Sequence, residues 1–390
     1  MRIGIDATCW SNSRGYGRFA RDMLSALLEL DQHNEYLFFM DSFTATMTDF
    51  PINAQKIVVS LSESPARAAS ASGRRRISDM FKMGKAVSVA KLDIFFYPSV
   101  YTYFPIWSRA KILVAIHDVI AEKYPHLVFQ SKKHQLFWNL KAWIAVRQAD
   151  LILTVSDFSK RGIAEHFGLD DTRIRVVSEG SNHSFGPVSS QSMLKETLSR
   201  YGLDGDSRFI LYVGGIAPHK NLSVLVGAFS KLVSKSQFGD LKLVMVGDYE
   251  NDVFLLDEKL KATMNHPDFT QNVIYTGYIP DQDLNSLYNA ALVFVLPSFC
   301  EGFGLPALEA MACGTVVIGS NTTSVPEIVG DAGLFFDPNR EEQLLACLET
   351  VIGDDRLRKE LEQRSLYRAG TFSWRKSAHQ TLSVLNELIA

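Results

Sequence analysis

Short apolar runs alternate with longer amphipathic ones along most of the chain. In the first half, apolar runs at 3–7, 36–40, 56–60, 94–97, 112–116, 151–155 and 174–177 predict strands. Between several of them the apolar positions recur at helical spacing, at 19–30, 134–148 and 158–167. Strands that read as continuous apolar runs are covered on both faces, and the helices between them are the crossovers of a parallel sheet. From 184 to 207 the pattern thins into Gly, Pro and Ser, and this stretch reads as a linker. The rhythm then restarts, with strands expected at 209–213, 241–246, 273–276, 292–296 and 315–319. Helices are expected there at 222–235, 281–289 and 306–312. A last helix is expected over 373–388, introduced by Phe372-Ser373-Trp374.

The expected fold class is therefore α/β, with two Rossmann-like doubly wound domains facing a central cleft. Residues 1–183 form the first, 184–207 link it to the second, 208–371 form the second, and 372–390 cross back. In such sheets ligands bind outside the carboxyl ends of the strands.

Composition narrows the classes. With 46% hydrophobic and 21% charged residues among 390, the chain is ordinary globular protein and not a disordered one. Cys9, Cys300, Cys313 and Cys347 are scattered, so neither a zinc site nor a disulfide framework is expected. The chain opens on a strand pattern, and no run of eighteen apolar residues occurs, so a cytoplasmic protein is expected.

The net charge of -3 conceals a split. Residues 1–183 carry +5 and residues 184–390 carry -8, and 56–147 hold 15 basic against 5 acidic residues. Arg74, Arg75, Arg76, Lys82, Lys85, Lys132, Lys133 and Lys141 are interleaved there with Phe81, Leu136, Phe137, Trp138 and Trp143. That mixture fits a surface that meets anionic lipid. A solvated face beside an ordinary core fits equally well. The near-neutral total gives no sign of a nucleic-acid binder. An Ala/Ser/Arg bias over 62–78 reads as a loop.

The strongest chemical pattern is Glu301-Gly302-Phe303-Gly304-Leu305-Pro306-Ala307-Leu308-Glu309, which follows a strand and opens a helix. Glycines let a backbone come close to a ligand, and proline suits a first helical turn. The free N–H groups at such a helix start favour an anion. Gly302, Phe303, Gly304 and Leu305 are thus a cradle for phosphate or sugar hydroxyls. Glu301 in the loop and Glu309 in the helix suit hydrogen bonds to a sugar and to a ribose diol.

This motif resembles the signature of family 4 of the retaining glycosyltransferases, which have the GT-B fold. Other segments match in order: Gly15-Tyr16-Gly17-Arg18, His117-Asp118, Ser156-Asp157-Phe158-Ser159-Lys160, Gly214-Gly215-Ile216-Ala217-Pro218-His219-Lys220-Asn221 and Phe372-Ser373-Trp374. The resemblance covers nearly the whole chain and is similar in detail to bacterial mannosyltransferases of surface-polysaccharide synthesis. Two departures stand out. Gly215 and His219 occupy positions where many relatives carry Arg, which lowers the fixed positive charge of the clamp, and the Gly214 and Gly215 amides are candidate substitutes. Val177-Ser178-Glu179-Gly180-Ser181-Asn182 replaces the usual Asn-Gly-Val-Asp, and no role follows for it.

The resemblance implies transfer of a hexose from a nucleotide diphosphate, with retention, to a lipid-linked or oligosaccharide acceptor. Mannose from GDP-mannose is the expected donor, and a UDP-hexose is the alternative. Lys220 would meet the diphosphate as a point charge, Glu301 the sugar, Glu309 the ribose, and Tyr278 and Ile279 the base. Asn221, Gly214 and Gly215 complete that donor loop, and His117, Gly15 and Gly17 come from the first domain. His117, Glu301 and Lys220 are the expected catalytic residues. No Asp-x-Asp motif accompanies the site, so neither a metal nor another cofactor is expected, and the nucleotide sugar is a substrate. The expected location is cytoplasmic, with the inner face of the plasma membrane as a further place for it and anionic lipid as a further partner there. A Rossmann oxidoreductase lacks its third glycine here, a GT-B epimerase lacks the two-glutamate cradle, and a non-catalytic sugar-binding module is the rival of another class.

Overall fold

The computed structural model describes residues 1–12, 15–47, 50–51, 54–68, 76–129, 131–247 and 270–390. It divides into two units, Met1–Gly180 with Ser373–Ala390, and Ser181–Phe372.

The first unit holds β1 (Arg2–Asp6), β2 (Glu35–Asp41), β3 (Gln55–Val59), β4 (Ile94–Tyr97), β5 (Lys111–Ala115), β6 (Leu151–Thr154) and β7 (Ile174–Val176). They form one sheet in the order β3-β2-β1-β4-β5-β6-β7, with every pair parallel. The central strands are apolar on both faces because both faces are covered. β4, for example, buries all of Ile94, Phe95, Phe96 and Tyr97. The order reverses between β1 and β4, which pair directly.

The second unit holds β8 (Phe209–Val213), β9 (Lys242–Val246), β10 (Val273–Gly277), β11 (Val293–Leu296), β12 (Val317–Ser320) and β13 (Gly333–Phe336). Their order is β10-β9-β8-β11-β12-β13, again parallel throughout. Here the order reverses between β8 and β11. The Leu222–Val233 and Glu341–Gly353 helices cover one face and bury Leu225, Phe229, Leu344 and Leu348 against Ile210, Tyr212 and Val293.

The stretch read as a linker contains a helix, Gln191–Arg200, capped by the Ser190 hydroxyl, which accepts from Met193 N. It belongs to the second unit and packs on the Asp281–Ala290 helix, where Tyr201 donates to Asp283 Oδ2 at 2.6 Å. Only Thr197 and Leu198 of this helix are buried, so its apolar signal is weak. Of the 62–78 loop, residues 69–75 lie outside the described residues. Pro65–Ala68 forms one helical turn, and a helix, Ile77–Ser88, begins inside the span. Arg74 and Arg75 also lie outside the described residues.

The last helix, Trp374–Glu387, starts at the Ser373 cap and packs against the Gly15–Leu30 helix of the first unit. Its close seat is fixed at Gly180, where a Cβ would stand 2.3 Å from Trp374 N.

Candidate active site

In the second unit, the loops after β8 and β11 leave the sheet side by side at its switch point, where α/β sheets bind ligands. They bring together Lys220 and Glu301. The Lys220 Nζ donates to Glu301 Oε1 at 2.8 Å, and the Ser298 hydroxyl donates to the same oxygen at 2.6 Å. Burial alone would raise the Glu301 pKa, but the Lys220 charge, with the bonds from Lys220 and Ser298, holds the carboxyl below its usual range. Glu301 is therefore an ionised, buried carboxylate with a matched cation.

The backbone around it is tied down. The Ser324 hydroxyl donates to the Glu301 and Phe303 carbonyls at 3.0 and 2.9 Å, and Glu301 N donates to the Thr323 hydroxyl at 3.2 Å. Gly304 caps the Leu305–Ala312 helix at φ +106°, a conformation that favours glycine, and Pro306 lies in the first turn. Phe303 packs edge-on against Phe372, and it and Leu305 are buried, so the backbone of the helix start is what the cradle offers a ligand.

Glu309 lies one turn further in. It is buried and accepts from the Tyr288 hydroxyl at 3.2 Å. At the end of β10, Tyr278 is exposed while Ile279 is buried. Asn221 is a latch: at φ +53° it donates from Nδ2 to the Pro297 carbonyl at 3.2 Å and to the Pro338 carbonyl at 2.8 Å. Its Nδ2 is thus committed to tying this loop to those after β11 and β13.

The Gly214 amide is likewise engaged within the sheet edge. Its N–H donates to the Val246 carbonyl at 2.9 Å, so only Gly215 of the pair remains as a candidate for the missing arginine. Gly214 is closely approached by Gly247, whose added Cβ would meet the Gly214 carbonyl at 2.2 Å. His219 adds no charge. Burial, then the Lys220 charge, pushes its pKa down to about 4, and its Nδ1 is buried with no hydrogen-bond partner among the described residues.

In the first unit the corresponding edge carries the glycine loop, Pro98 and His117. Gly15 opens the Gly15–Leu30 helix with open space around it, whereas a Cβ on Gly17 would stand 2.0 Å from the Asn12 carbonyl. Gly17 is therefore a packing requirement. Arg21 pins the same loop by donating to the Trp10 and Asn12 carbonyls at 2.5 and 2.7 Å. His117 follows β5. Its Nε2 lies 3.1 Å from the Pro98 carbonyl and its Nδ1 3.5 Å from Glu179 Oε1. Burial would lower the His117 pKa, but the hydrogen bond and charge of Glu179 override it and raise it. Glu179, Ser298 and Tyr288 were not anticipated. Glu179 had a signal, the departure from the usual tetrapeptide, but only the fold brings it to His117 across 62 positions.

Two doubly wound parallel units, one with a buried carboxylate–ammonium pair beside a glycine-capped helix start, define a glycosyltransferase of the GT-B fold. Among solved structures, the chain is similar over its full length to sucrose-phosphate synthase from Thermosynechococcus elongatus, with a TM-score of 0.76, 19% identity and 99% of that chain covered. It is similar over 99% of its length to Anabaena HepE in complex with UDP and glucose, with a TM-score of 0.74, 16% identity and all of that chain covered. Residues 14–185 match the profile of Glycosyltransferase Family 4, and residues 195–366 match that of Glycosyl transferases group 1. The chain is 38% identical over 277 residues to O-antigen chain mannosyltransferase B of Escherichia coli, covering 70% of this chain and 69% of that one. The chain belongs to glycosyltransferase family 4.

Proposed function

We propose that the enzyme transfers a hexose, mannose from GDP-mannose, with retention to a hydroxyl of a lipid-linked or oligosaccharide acceptor in the synthesis of a bacterial surface polysaccharide. The observation that carries this reading is the Lys220–Glu301 pair at the start of the Leu305–Ala312 helix. Similarity to the O-antigen mannosyltransferase supports mannose as the sugar. In this reading the diphosphate meets Lys220 and the helix N–H groups, which stabilise the leaving group's charge as it develops. Glu301 then exchanges part of its bond with Lys220 for hydroxyls of the sugar, and Glu309 serves the ribose. A diphosphate oxygen takes the acceptor's proton while the new bond forms on the face that the leaving group vacates. We place no metal in this step, and transfer is expected to persist in EDTA.

The experiment is a donor panel. Incubation with GDP-mannose should release GDP and add one hexose to a mannose-terminated oligosaccharide, with UDP-glucose and UDP-galactose far slower. Preference for a UDP-hexose would move the assignment to the second reading, which the HepE complex with UDP and glucose favours.

The acceptor's lipid carrier gives a reason for a membrane-facing surface. Leu136, Phe137, Leu140 and Trp143 are exposed on one side of the Lys132–Gln148 helix, while Ala142, Ala145 and Val146 are buried on the other. Lys132, Lys133 and Arg147 flank the exposed stripe, and Arg147 lies 5.2 Å over the Trp143 ring. Apolar side chains rimmed by cations suit the headgroup boundary of an anionic leaflet, and we assign the enzyme to the inner face of the plasma membrane. No helix among the described residues is long and apolar enough to cross a membrane.

A further inference from the structure

His117 has an acceptor at each ring nitrogen. The Pro98 carbonyl lies 3.1 Å from Nε2, and Glu179 Oε1 lies 3.5 Å from Nδ1. A carbonyl oxygen only accepts, and an ionised carboxylate also only accepts, so a ring that satisfies both must donate from both nitrogens. A ring with two N–H groups is an imidazolium. Asp118, in its own loop, acts on it in the same direction as Glu179. From the Gly15–Leu30 helix Phe19 meets the ring edge-on at 4.7 Å.

Glu179 is held where it stands. The Ser377 hydroxyl donates to the Ser178 carbonyl on one side, and on the other Gly180 leaves no room for a side chain against Ser373 and Trp374. Trp374 in turn packs on Phe19 at 5.9 Å. The returning C-terminal helix thus touches both the loop that carries Glu179 and the ring that backs His117.

We propose that Glu179 is a positioning residue that holds His117 as a doubly donating imidazolium, so that His117 serves the transfer as a fixed cation and not as a base. This role rests on the transferase reading above. Charge set in place before the substrate arrives needs no reorganisation during the reaction.

The test uses the full chain labelled with 13C- and 15N-histidine, with His117→Gln to assign the resonances, and no substrate. In the wild type both His117 nitrogens should remain protonated well above the ordinary histidine midpoint of about 6.5. Glu179→Gln, close in size, should lower the midpoint by about one to three pH units, and Glu179→Asp should recover part of the shift. In transfer assays the alkaline limb of kcat should move down with the midpoint in Glu179→Gln, with the acceptor KM unchanged. Equal midpoints in wild type and Glu179→Gln, or an alkaline limb that does not follow the midpoint, would overturn the proposal. A wild-type chain that turns over no nucleotide sugar would instead overturn the transferase reading, and the NMR result would stand apart from it.

Discussion

The Lys220 ammonium lies 2.8 Å from the Glu301 carboxylate, and this pair joins the loops after β8 and β11, the two strands at which the second sheet reverses its order. Both partners are mostly buried, with side-chain exposures of 23% and 11%. Removing one partner of a buried pair leaves an unmatched charge, which costs about 3–5 kcal/mol. Lys220→Ala should therefore lower stability by about that much in urea melts. The double variant Lys220→Ala/Glu301→Gln should recover a substantial part, because the stranded carboxylate is gone. Additive losses in the double variant would show that the pair is not coupled.

His219 is expected to be silent in the pH profile. Burial and the neighbouring Lys220 charge push its pKa down to about 4, so it is neutral across the working range. His219→Gln should leave the shape of the kcat profile unchanged between about pH 5.5 and 9. A limb that disappears in this variant would show that His219 titrates there.

The His117–Glu179 contact makes a signed prediction for stability. The folded pKa of His117 is raised above its unfolded value. Its contribution is then fully present below about pH 6.5, the unfolded midpoint, and is lost as pH rises through the folded midpoint. The difference in melting temperature between wild type and Glu179→Gln should be largest near pH 6 and shrink toward pH 9. A constant difference would mean that the contact is not charge-dependent.

The exposed stripe on the Lys132–Gln148 helix is tested by flotation. The wild-type enzyme should float with anionic vesicles at low salt, and less so as salt is raised, since surface attraction is screened over about 10 Å at 0.1 M. Leu136→Ser with Trp143→Ser should abolish flotation while leaving transfer to a soluble oligosaccharide intact. Flotation unaffected by the double change would place the lipid contact elsewhere, and no flotation of the wild type would remove it.

The two sheets were legible because their strands are buried on both faces and so appear as unbroken apolar runs. β4 was read to the residue at 94–97. The Gln191–Arg200 helix was not, because it buries only Thr197 and Leu198. β13 was missed for a related reason: Gly333–Phe336 is a four-residue edge strand with only Phe336 buried. At the site, Glu301, Gly304 and Lys220 were legible because glycine and proline around a helix start leave a pattern in local sequence. The latch made by Asn221 was not legible, since its two carbonyl partners, Pro297 and Pro338, are 76 and 117 positions away. Glu179 shows the same limit, because a partner chosen by strand order has no local signature.

The most direct test of the account is turnover of GDP-mannose by the wild type and Glu301→Ala, measured as hexose added to a mannose-terminated acceptor alongside GDP released. The wild type should give the two products in equal amounts, and Glu301→Ala should lower kcat by about 10²-fold or more, the scale of losing one positioned polar group. Equal turnover by the two proteins would contradict the assignment of the Lys220–Glu301 site as the place of sugar transfer.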